Sequence, residues 1–374
     1  MELNGILVFK TDSFDTDSIV KDVLSSGRDA VVLVLGFDRR IRVVHAPGGD
    51  AGKTIELSRF GSARLDRTLA PLLFLSDLAA YVRLFTGVCI RHRPRLCWIE
   101  NTFAAAILGA LRKLGVCGEI IYLPGDWLMP EKRGAGLKRY LWGLLFIAAD
   151  YAACRSASLV LNSTDRITEA RRRFWGRSIA KREEVYSFNI EVKAGEARGP
   201  GNKICFMGNV RSDSGLEIVV SSLAKMNAEY GVSLKVIGPP GGGDALSRMA
   251  APYGIGPKIE HAGFVEREML ARAVSDCFCG VNILTDPESY SSYTIPGKII
   301  HYLQFLLPVI TTRGAGVMAD VIAKNRLGVV IEPNEDEFME AVMEVRERRD
   351  EFRGNILEYI KGLPRVDLVR LLEA

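Results

Sequence analysis

A strand that runs into a glycine-rich turn and then a helix decides the fold of this chain: KICFMGNVRSDSGLEIVVSSL, residues 203–223. The apolar run ends at Met207, Gly208 allows a close backbone approach, and a helical pattern begins near Gly215. A helix N-terminus offers unpaired N–H groups and the positive end of the helix dipole, so it attracts anions. Arg211 adds a guanidinium fork for phosphate oxygens. Taken alone, the stretch would be an ordinary strand–helix turn with an exposed arginine.

Two further junctions of the same kind follow in the same half of the chain. VIGPPGGGD, residues 236–244, is a strand end that runs into a glycine-rich loop. In SYSSYTIPGKIIHYLQFLLPVITT, residues 289–312, Pro296 suits the start of a helix and places Lys298 in its first turn. The next strand leads to Gly314-Ala315-Gly316, whose successive N–H groups can turn toward one anion. Together, the three junctions predict a site for a diphosphate.

Short apolar runs alternate with helical patterns along the chain, which predicts open parallel sheets. Most runs are continuously apolar, as strands covered on both faces require. The predicted strands are 5–9, 30–36, 41–46, 96–100, 119–124, 158–162, 203–208, 233–238, 259–264, 278–284, 307–312 and 327–332. The predicted helices outside the three junctions are 66–92, 102–115, 137–154, 163–174, 335–349 and 351–374.

A break in this rhythm at EVKAGEARGPGNK, residues 191–203, indicates a linker, because the segment lacks periodicity and is rich in glycine. We therefore predict an α/β fold with two Rossmann-like parallel-sheet domains, residues 1–190 and 204–350, that face each other across a cleft. Residues 351–374 are expected to form C-terminal helices that pack back on the first domain. Ligands of such sheets bind beyond the carboxyl ends of the strands, so the cleft is the expected site.

Composition excludes several classes of protein. With 374 residues, 48% of them hydrophobic, the chain is long and apolar enough for two cores and is not disordered. Four histidines and seven scattered cysteines argue against a multi-ligand metal site and indicate a reducing compartment. The N-terminus is unlike a signal peptide. The longest apolar run, 140–160, is interrupted by Asp150 and Arg155, which favours a buried helix and strand over a membrane span.

Charge is divided unevenly between the two halves. Residues 1–190 hold 28 Lys and Arg against 20 Asp and Glu, a net +8, and residues 191–374 hold 21 against 25, a net −4, which sum to the overall +4. The basic excess peaks in Arg166–Arg182, where Arg171, Arg172, Arg173 and Arg177 adjoin Phe174 and Trp175. This stretch fits a helix on an anionic membrane surface and equally a solvated helix face. A nucleic-acid partner is not expected, because aromatic content is 8% and no binding module is present.

GGDAGKT, residues 48–54, only imitates a phosphate-binding P-loop. The motif G-x-x-x-x-G-K-[ST] requires glycine at position 47, where Pro47 stands. The cradle is therefore one residue short, and a P-loop nucleotide hydrolase is not expected.

The second half resembles the donor-binding domain of GT-B glycosyltransferases of the group 1 (family 4) type. The resemblance rests on the order and spacing of motifs over residues 203–345, and no single motif carries it. The matching segments are GNVRSDSG (208–215), VIGPPG (236–241), HAGFV (261–265), PGKIIHYLQFLLPVITT (296–312) and GAG (314–316). In the first half, AADYAACRSASLVLNST (148–164) is similar to the A-D-x-x-x-x-x-S segment of that family.

Four positions depart from the family pattern. The usual arginine of G-R-L falls on Asn209, the usual lysine before glycine on Ser214, and the paired glutamates on Tyr293 and His301. A subset of the family has G-N-I in place of G-R-L, and Asn209 fits that subset. The departures bear on catalytic competence and leave the predicted architecture unchanged.

The resemblance implies transfer of a sugar from a nucleotide diphosphate sugar to an acceptor hydroxyl, without a metal or other cofactor. It assigns residues 1–190 to the acceptor and 204–350 to the donor. Lys298 could instead serve only solubility, and His301 could be a satisfied buried imidazole. The implied donor-site residues are Gly208, Asn209, Arg211, Lys298, Gly314, Ala315 and Gly316 for the diphosphate, Gly238 in the adjoining loop, Phe264 and Val265 for the base, and Tyr293 and His301 for ribose and sugar hydroxyls.

The sequence predicts the acceptor site in less detail than the donor site. YLPGDWLMP, residues 122–130, ends a strand, and Asp126 is a candidate general base in an inverting reaction, or an orienting group in a retaining one. A turn-capping aspartate is an equal alternative. The basic stretch and the apolar helices suggest a lipid-linked glycan or another cell-envelope precursor as acceptor, and a cytoplasmic enzyme at the inner face of the membrane.

Two other functions stay open at this point. The departures at Asn209, Ser214, Tyr293 and His301 would fit a catalytically silent subunit that binds a nucleotide sugar or serves as a scaffold. An epimerase that acts on the sugar nucleotide itself is the second alternative. It is less favoured, because such enzymes use several histidines and carboxylates and this chain has four histidines.

Overall fold

The computed structural model divides the chain into two compact units, residues 1–189 with 365–374, and residues 190–364. Within them the structure describes residues 5–11, 29–35, 41–46, 54–55, 70–125, 127, 137–186, 190–193, 201–210, 214–239, 242–285 and 292–364. Each unit is built on its own sheet, with helices that link successive strands.

The described strands of the first unit form one sheet in the order β4-β3-β2-β1-β5-β6-β7-β8. Strands β1, β2 and β5–β8 run parallel. Strand β3 pairs antiparallel with both β2 and β4, so the expectation of a parallel strand at 41–46 was wrong in direction. The bounds are β1 Ile6–Thr11, β2 Ala30–Leu35, β3 Ile41–Ala46, β4 Thr54–Ile55, β5 Leu96–Ile99, β6 Glu119–Tyr122, β7 Leu159–Asn162 and β8 Glu183–Val185.

Strand β1 shows why the apolar runs of this sheet are continuous. Leu7 and Phe9 pack in a cluster on one face, and Ile6 and Val8 pack in a cluster on the other. Side chains alternate between the faces of a strand, so a sheet covered on both sides needs an apolar residue at every position.

Four helices join strands of the first unit: α1 Ala70–His92, α2 Thr102–Lys113, α3 Leu137–Ser156 and α4 Asp165–Trp175. Helix α2 packs against both α1 and α3. The run at 140–160 is the end of α3 followed by β7, as its interrupting charges predicted. Among the described residues, no helix combines the length and the apolar character that crossing a bilayer would need.

The described strands of the second unit form a parallel sheet in the order β11-β10-β9-β12-β13-β14. Each of the six predicted segments in this half overlaps one of these strands. The bounds are β9 Lys203–Met207, β10 Ser233–Ile237, β11 Ile259–Gly263, β12 Cys277–Asn282, β13 Val309–Thr312 and β14 Gly328–Ile331. The helices are α5 Leu216–Tyr230, α6 Gly243–Ala250, α7 Leu270–Ala273, α8 Gly297–Gln304, α9 Val317–Asn325, α10 Glu335–Glu347 and α11 Arg349–Gly362.

The domain bounds of the structure differ from those predicted in two places. Residues 191–203, predicted as a linker, are grouped with the second unit. Helix α11 packs on α9 and α10, so its residues belong to the second unit, whereas residues 365–374 are grouped with the first. The predicted C-terminal segment 351–374 is therefore divided between the units.

Candidate functional site

The carboxyl ends of β9, β10 and β11 are joined through glycine backbone. The Gly208 N–H donates to the Ile237 carbonyl at 2.8 Å, and the Gly238 N–H donates to the Gly263 carbonyl at 3.0 Å. A Cβ on Gly238 would lie 2.1 Å from the Gly208 carbonyl oxygen, so no larger residue fits there without a backbone shift. Gly208 itself has φ +129°, a conformation that favours glycine. This edge of the sheet therefore presents backbone with little side-chain cover.

Lys298 lies beside this glycine edge. Its Cε and Nζ are 3.8 and 3.9 Å from the position that a Cβ on Gly208 would take. The ammonium also lies 4.4 Å from the ring centroid of buried Phe206, a cation–π contact. Helix α8 begins immediately after Pro296, as predicted, which puts Lys298 in the first turn. The structure thus brings together two of the predicted diphosphate residues, Gly208 and Lys298.

Tyr302, one helical turn after Lys298, fastens helix α8 to the sheet. Its hydroxyl accepts from the Met207 N–H at 2.9 Å and donates to the Val281 carbonyl at 3.0 Å. Its ring lies so close to Gly280 that a Cβ there would be 2.3 Å from the ring. Complete burial raises the pKa of Tyr302 well above 10 and keeps the phenol protonated. The sequence interpretation missed this residue, although a glycine inside a strand run is a signal of close approach.

The turn from β13 to α9 is held by hydroxyl groups. The Leu284 N–H donates to Thr312 Oγ1 at 3.0 Å, and the same hydroxyl donates to the Leu284 carbonyl at 2.9 Å. Beyond Thr312 the chain makes one 3₁₀ turn, Arg313–Ala315, and Gly316 opens helix α9. Gly314, Ala315 and Gly316 are buried, and the Gly316 carbonyl accepts from the Ala319 and Asp320 N–H groups.

Three helices of this unit have a glycine at the N-cap, which supplies no capping side chain. Gly215 precedes α5, Gly242 precedes α6 and Gly316 precedes α9. Unpaired N–H groups in such first turns bind anions when they are open to a ligand. The three starts follow β9, β10 and β13, at the carboxyl edge where ligands of parallel sheets bind.

Of the remaining predicted donor residues, Asn209, Phe264 and Val265 follow the ends of β9 and β11, Tyr293 precedes α8, and His301 lies on α8. Asn209 is exposed next to Gly208, and Phe264, directly after β11, is 57% exposed. Val265 and Tyr293 are half-buried. His301 is half-buried on α8, with Nδ1 3.4 Å from Gln304 Oε1. Ser214, at the position of the usual lysine, is buried.

His261 was passed over as a site residue although it lies in the HAGFV segment. A Cβ on Gly243 would be 3.5 Å from its Nδ1, and one on Gly242 would be 3.7 Å from its Nε2. Nε2 is buried and has no hydrogen-bond partner among the described residues. The glycine-rich loop after β10 therefore lies against this imidazole. Two predicted catalytic residues, Arg211 and Asp126, lie outside the described residues.

A buried polar network lies at the carboxyl ends of β6 and β7 in the first unit. Arg171 binds Asp150 through two hydrogen bonds, Nε to Oδ2 at 2.8 Å and NH2 to Oδ1 at 2.7 Å. The hydroxyl of Tyr122 donates to Asp150 Oδ1 at 2.9 Å, and Arg171 NH1 donates to Asn162 Oδ1. The guanidinium lies 5.5 Å from the ring centroid of Trp127.

The network corrects one expectation. Arg171 is 1% exposed, so it does not belong to a cationic surface. Arg172, Arg173 and Arg177 are exposed, and Arg177 lies beyond the end of helix α4. Because Trp127 is fully buried against Arg171, the network instead fixes the chain next to Asp126 at the carboxyl edge of the first sheet.

Potential metal ligands do not gather in the described part of the chain: no three His, Cys, Asp or Glu side chains there are placed to hold an ion. The seven cysteines are free and buried.

Comparison with known proteins finds a family match for the second unit. Residues 201–348 match the family model of glycosyl transferases group 1. This confirms the resemblance for the segment on which it was based. No curated protein matches the chain in sequence.

Solved glycosyltransferase structures share the fold over nearly the whole chain. HepE from Anabaena, solved in complex with UDP, superimposes with a TM-score of 0.64 at 14% identity, over 98% of this chain and 96% of that one. The α,α-trehalose 6-phosphate synthase of Burkholderia multivorans gives 0.64 at 13% identity, over 97% and 93%. The lipopolysaccharide outer core galactosyltransferase WaaB gives 0.55 at 13%, over 95% and 97%. The chain has the GT-B fold, with two Rossmann-like units.

Proposed function

We propose that this chain transfers a hexosyl group from a nucleotide diphosphate sugar to an acceptor hydroxyl. One observation supports this most directly: the Lys298 ammonium lies beside the bare Gly208 backbone at the carboxyl edge of a parallel sheet. The uncapped starts of α5 and α9 follow β9 and β13, the strands on either side of β12 in that sheet. A diphosphate carries the charge that these groups attract. HepE, which shares the fold, was solved in complex with UDP and glucose, and uridine is therefore the base we propose.

The reaction requires charge stabilisation on the departing diphosphate. Cations and N–H groups that are already in place stabilise this charge without reorganisation in the transition state, and we propose that they act here without a metal. Lys298 and the Gly314–Gly316 turn would hold the diphosphate oxygens, and Asn209 and Arg211 in the loop after β9 would complete the set.

The other donor groups are assigned by their chemistry. Phe264 offers an exposed ring for the base, next to Val265 and the Gly238 loop. Tyr293 and His301 would hydrogen-bond ribose and sugar hydroxyls. A neutral imidazole can share a hydrogen bond with a hydroxyl but does not supply the negative charge of the glutamate usual at that position.

For the acceptor we propose a lipid-linked or other cell-envelope glycan, bound at the carboxyl edge of the first sheet. Asp126, between Gly125 and buried Trp127, would orient the acceptor hydroxyl or take its proton. An acceptor of this kind places the enzyme at the cytoplasmic face of a membrane, as a peripheral protein.

Binding of uridine diphosphate tests the donor site. We expect UDP to raise the melting temperature of the full chain equally with and without EDTA, and Lys298→Ala to weaken UDP binding about tenfold, since a hydrogen bond to a charged group contributes about 1.5–3 kcal/mol. Lys324→Ala, on the exposed side of α9, is the matched control and should bind UDP normally. If neither UDP nor another nucleoside diphosphate stabilises the protein, the donor site is wrongly assigned.

A silent subunit that only binds a nucleotide sugar is the second candidate. It is favoured by the burial of Ser214, because the family usually has a lysine at this position and a short buried hydroxyl cannot supply its charge. Binding of UDP without release of sugar from UDP-glucose, in the presence of membrane extracts as acceptor source, would support this candidate and contradict transfer.

A further inference from the structure

Helices α1 and α3 of the first unit expose large apolar side chains. Helix α2 packs against both, so the three helices form one layer on the sheet. We call the outer surface of this layer the α1–α3 face. The large apolar side chains that α1 and α3 expose are Val82 (44%), Ile90 (59%), Leu141 (54%), Trp142 (42%), Leu144 (39%) and Leu145 (40%).

Helix α3 is apolar on both of its sides. Phe146, Ile147 and Ala153 are buried toward the rest of the unit. On the outer side, positions 141, 145, 148 and 152 follow the helical repeat and carry Leu, Leu, Ala and Ala, all exposed. A surface helix normally has polar residues on this side, and a large exposed apolar patch indicates an interaction surface.

Basic residues outnumber acidic ones around these side chains. On the described parts of α1–α3, the exposed charged side chains are Arg83, Arg91, Lys113 and Arg155. Among the side chains described on these helices, the carboxylate is Asp150, which is buried and paired with Arg171. In the sequence, α1 also contains Asp77, and EKRGAGLKR at 131–139, just before Leu141, adds four cations and one carboxylate. An apolar surface with a basic surround is complementary to an anionic bilayer, where leucine and tryptophan enter the headgroup region and arginine meets phosphate.

A second copy of the chain fits this face less well. In a symmetric dimer the same patch meets itself, so the arginines of one copy would face those of the other. Helix α4 is a poorer membrane surface. Asp165 and Glu169 are exposed beside its arginines, and their negative charge would be repelled by anionic lipid.

We propose that the α1–α3 face lies on an anionic lipid bilayer. Leu141, Trp142, Leu144 and Leu145 enter the interface, and the arginines contact lipid phosphates. The proposal specifies the surface used in the membrane contact of the proposed function, but it needs no working donor site. A failure of UDP binding therefore leaves it standing, and a failure of lipid binding leaves the donor site standing.

Sedimentation with sucrose-loaded vesicles tests it. The full chain should sediment with vesicles of 30% phosphatidylglycerol in phosphatidylcholine and not with phosphatidylcholine alone. L141E/L145E should weaken this binding at least about tenfold, because it removes apolar area and adds like charge to that of the lipid. R83E/R91E should weaken it by about fivefold per residue. V185E, an equally exposed apolar position on strand β8 outside the helix layer, is the control and should bind as the original protein does.

Tryptophan fluorescence locates the contact. Trp98 and Trp127 are buried and Trp175 is half-buried, so Trp142 is the most exposed of the four tryptophans. Anionic vesicles should shift the emission to the blue, and W142F should abolish the shift while vesicle binding falls by no more than about threefold, since phenylalanine keeps most of the apolar area.

Three outcomes would overturn the proposal. The first is absence of binding to anionic vesicles, and the second is binding that L141E/L145E leaves unchanged. The third is self-association of the original protein, seen by light scattering and abolished by L145E, which would show that a second copy covers the face. The melting temperature of each variant should also stay within about 3 °C of that of the original protein. A larger fall would show that the substituted side chains pack within the protein itself, which would contradict a free surface.

Discussion

Lys298 owes its position to Tyr302 and Gly280, which lie behind it in the fold. Tyr302 joins α8 to β9 and β12 through one hydroxyl, and Gly280 leaves room for its ring. The ammonium is placed over Phe206 and beside Gly208 as a consequence. The proposed diphosphate contact of Lys298 should therefore be sensitive to changes one helical turn away.

Tyr302→Phe tests this arrangement. The change leaves the Met207 N–H and the Val281 carbonyl without their partner in a buried place, which costs about 1–3 kcal/mol of unfolding free energy. We also expect UDP affinity to fall severalfold, because the start of α8 is no longer fixed. Chemical denaturation and calorimetry with UDP measure the two effects. Tyr359→Phe, half-buried on α11, is the control; equal loss of UDP affinity in both variants would contradict a positioning role for Tyr302.

Gly208→Ala tests the bare backbone edge. A residue with a side chain is strained at φ +129°, which costs about 1–3 kcal/mol, and the added methyl lies where we expect the diphosphate to approach. UDP binding should fall at least about tenfold. Gly231→Ala also places alanine at positive φ, +63°, in open space after α5, and should lose stability without losing UDP affinity.

The elements of the fold were mostly predictable because local pattern reflects burial. The continuous apolar runs of β1, β5, β9, β10, β12 and β13 are buried strands, and α8 begins immediately after the proline that predicted it. The direction of β3 was not predictable, because the residues IRVVHA fit a parallel and an antiparallel strand equally well. Its antiparallel pairing with β2 depends on the topology of the sheet. Strand β8, Glu183–Val185, was missed because it is short, polar and at the sheet edge.

The burial of Arg171 was also not predictable from the local sequence. The sequence of its helix predicts a basic surface. Its ion-pair partner, Asp150, lies 21 residues earlier on another helix. Nothing in the local spacing separates this arginine from Arg172 and Arg173. In the proposed donor site, by contrast, the motif order grouped Gly208 and Lys298, which the structure places side by side, whereas the support from Tyr302 and Gly280 was not predicted.

The Asp150–Arg171 ion pair joins helices α3 and α4, and its contribution to stability can be tested by mutation. Asp150→Asn keeps the shape but leaves the Arg171 charge without its counterion in a site that is 1% exposed or less. Breaking one partner of a buried pair costs about 3–5 kcal/mol. We expect a corresponding fall in the denaturation midpoint. Replacing the exposed Arg182 of the Arg182–Glu184 pair by methionine should cost less than about 1 kcal/mol, and an equal cost in the two variants would contradict the burial argument.

At the scale of the whole molecule, the two units have separate cores. The large cluster around Phe206 and Val236 contains only residues of the second unit, and the clusters around Phe9 and Trp98 contain only residues of the first. Each core includes strands and helices of its own, so each unit has the means to unfold cooperatively by itself. The four tryptophans, at 98, 127, 142 and 175, all lie in the first unit.

This distribution allows the effect of a ligand on each unit to be measured separately. We expect thermal unfolding to show two transitions, with tryptophan emission reporting the first unit and far-ultraviolet circular dichroism reporting both. UDP should raise only the transition that emission does not see, since a ligand stabilises the unit that holds it by RT ln(1 + [L]/Kd), about 2.7 kcal/mol at a hundredfold excess over Kd. Lys298→Ala should reduce that shift and leave the emission transition where it was. A single transition that both signals follow, displaced equally by UDP, would instead show that the units unfold together, because stabilisation of one core would then extend to the other.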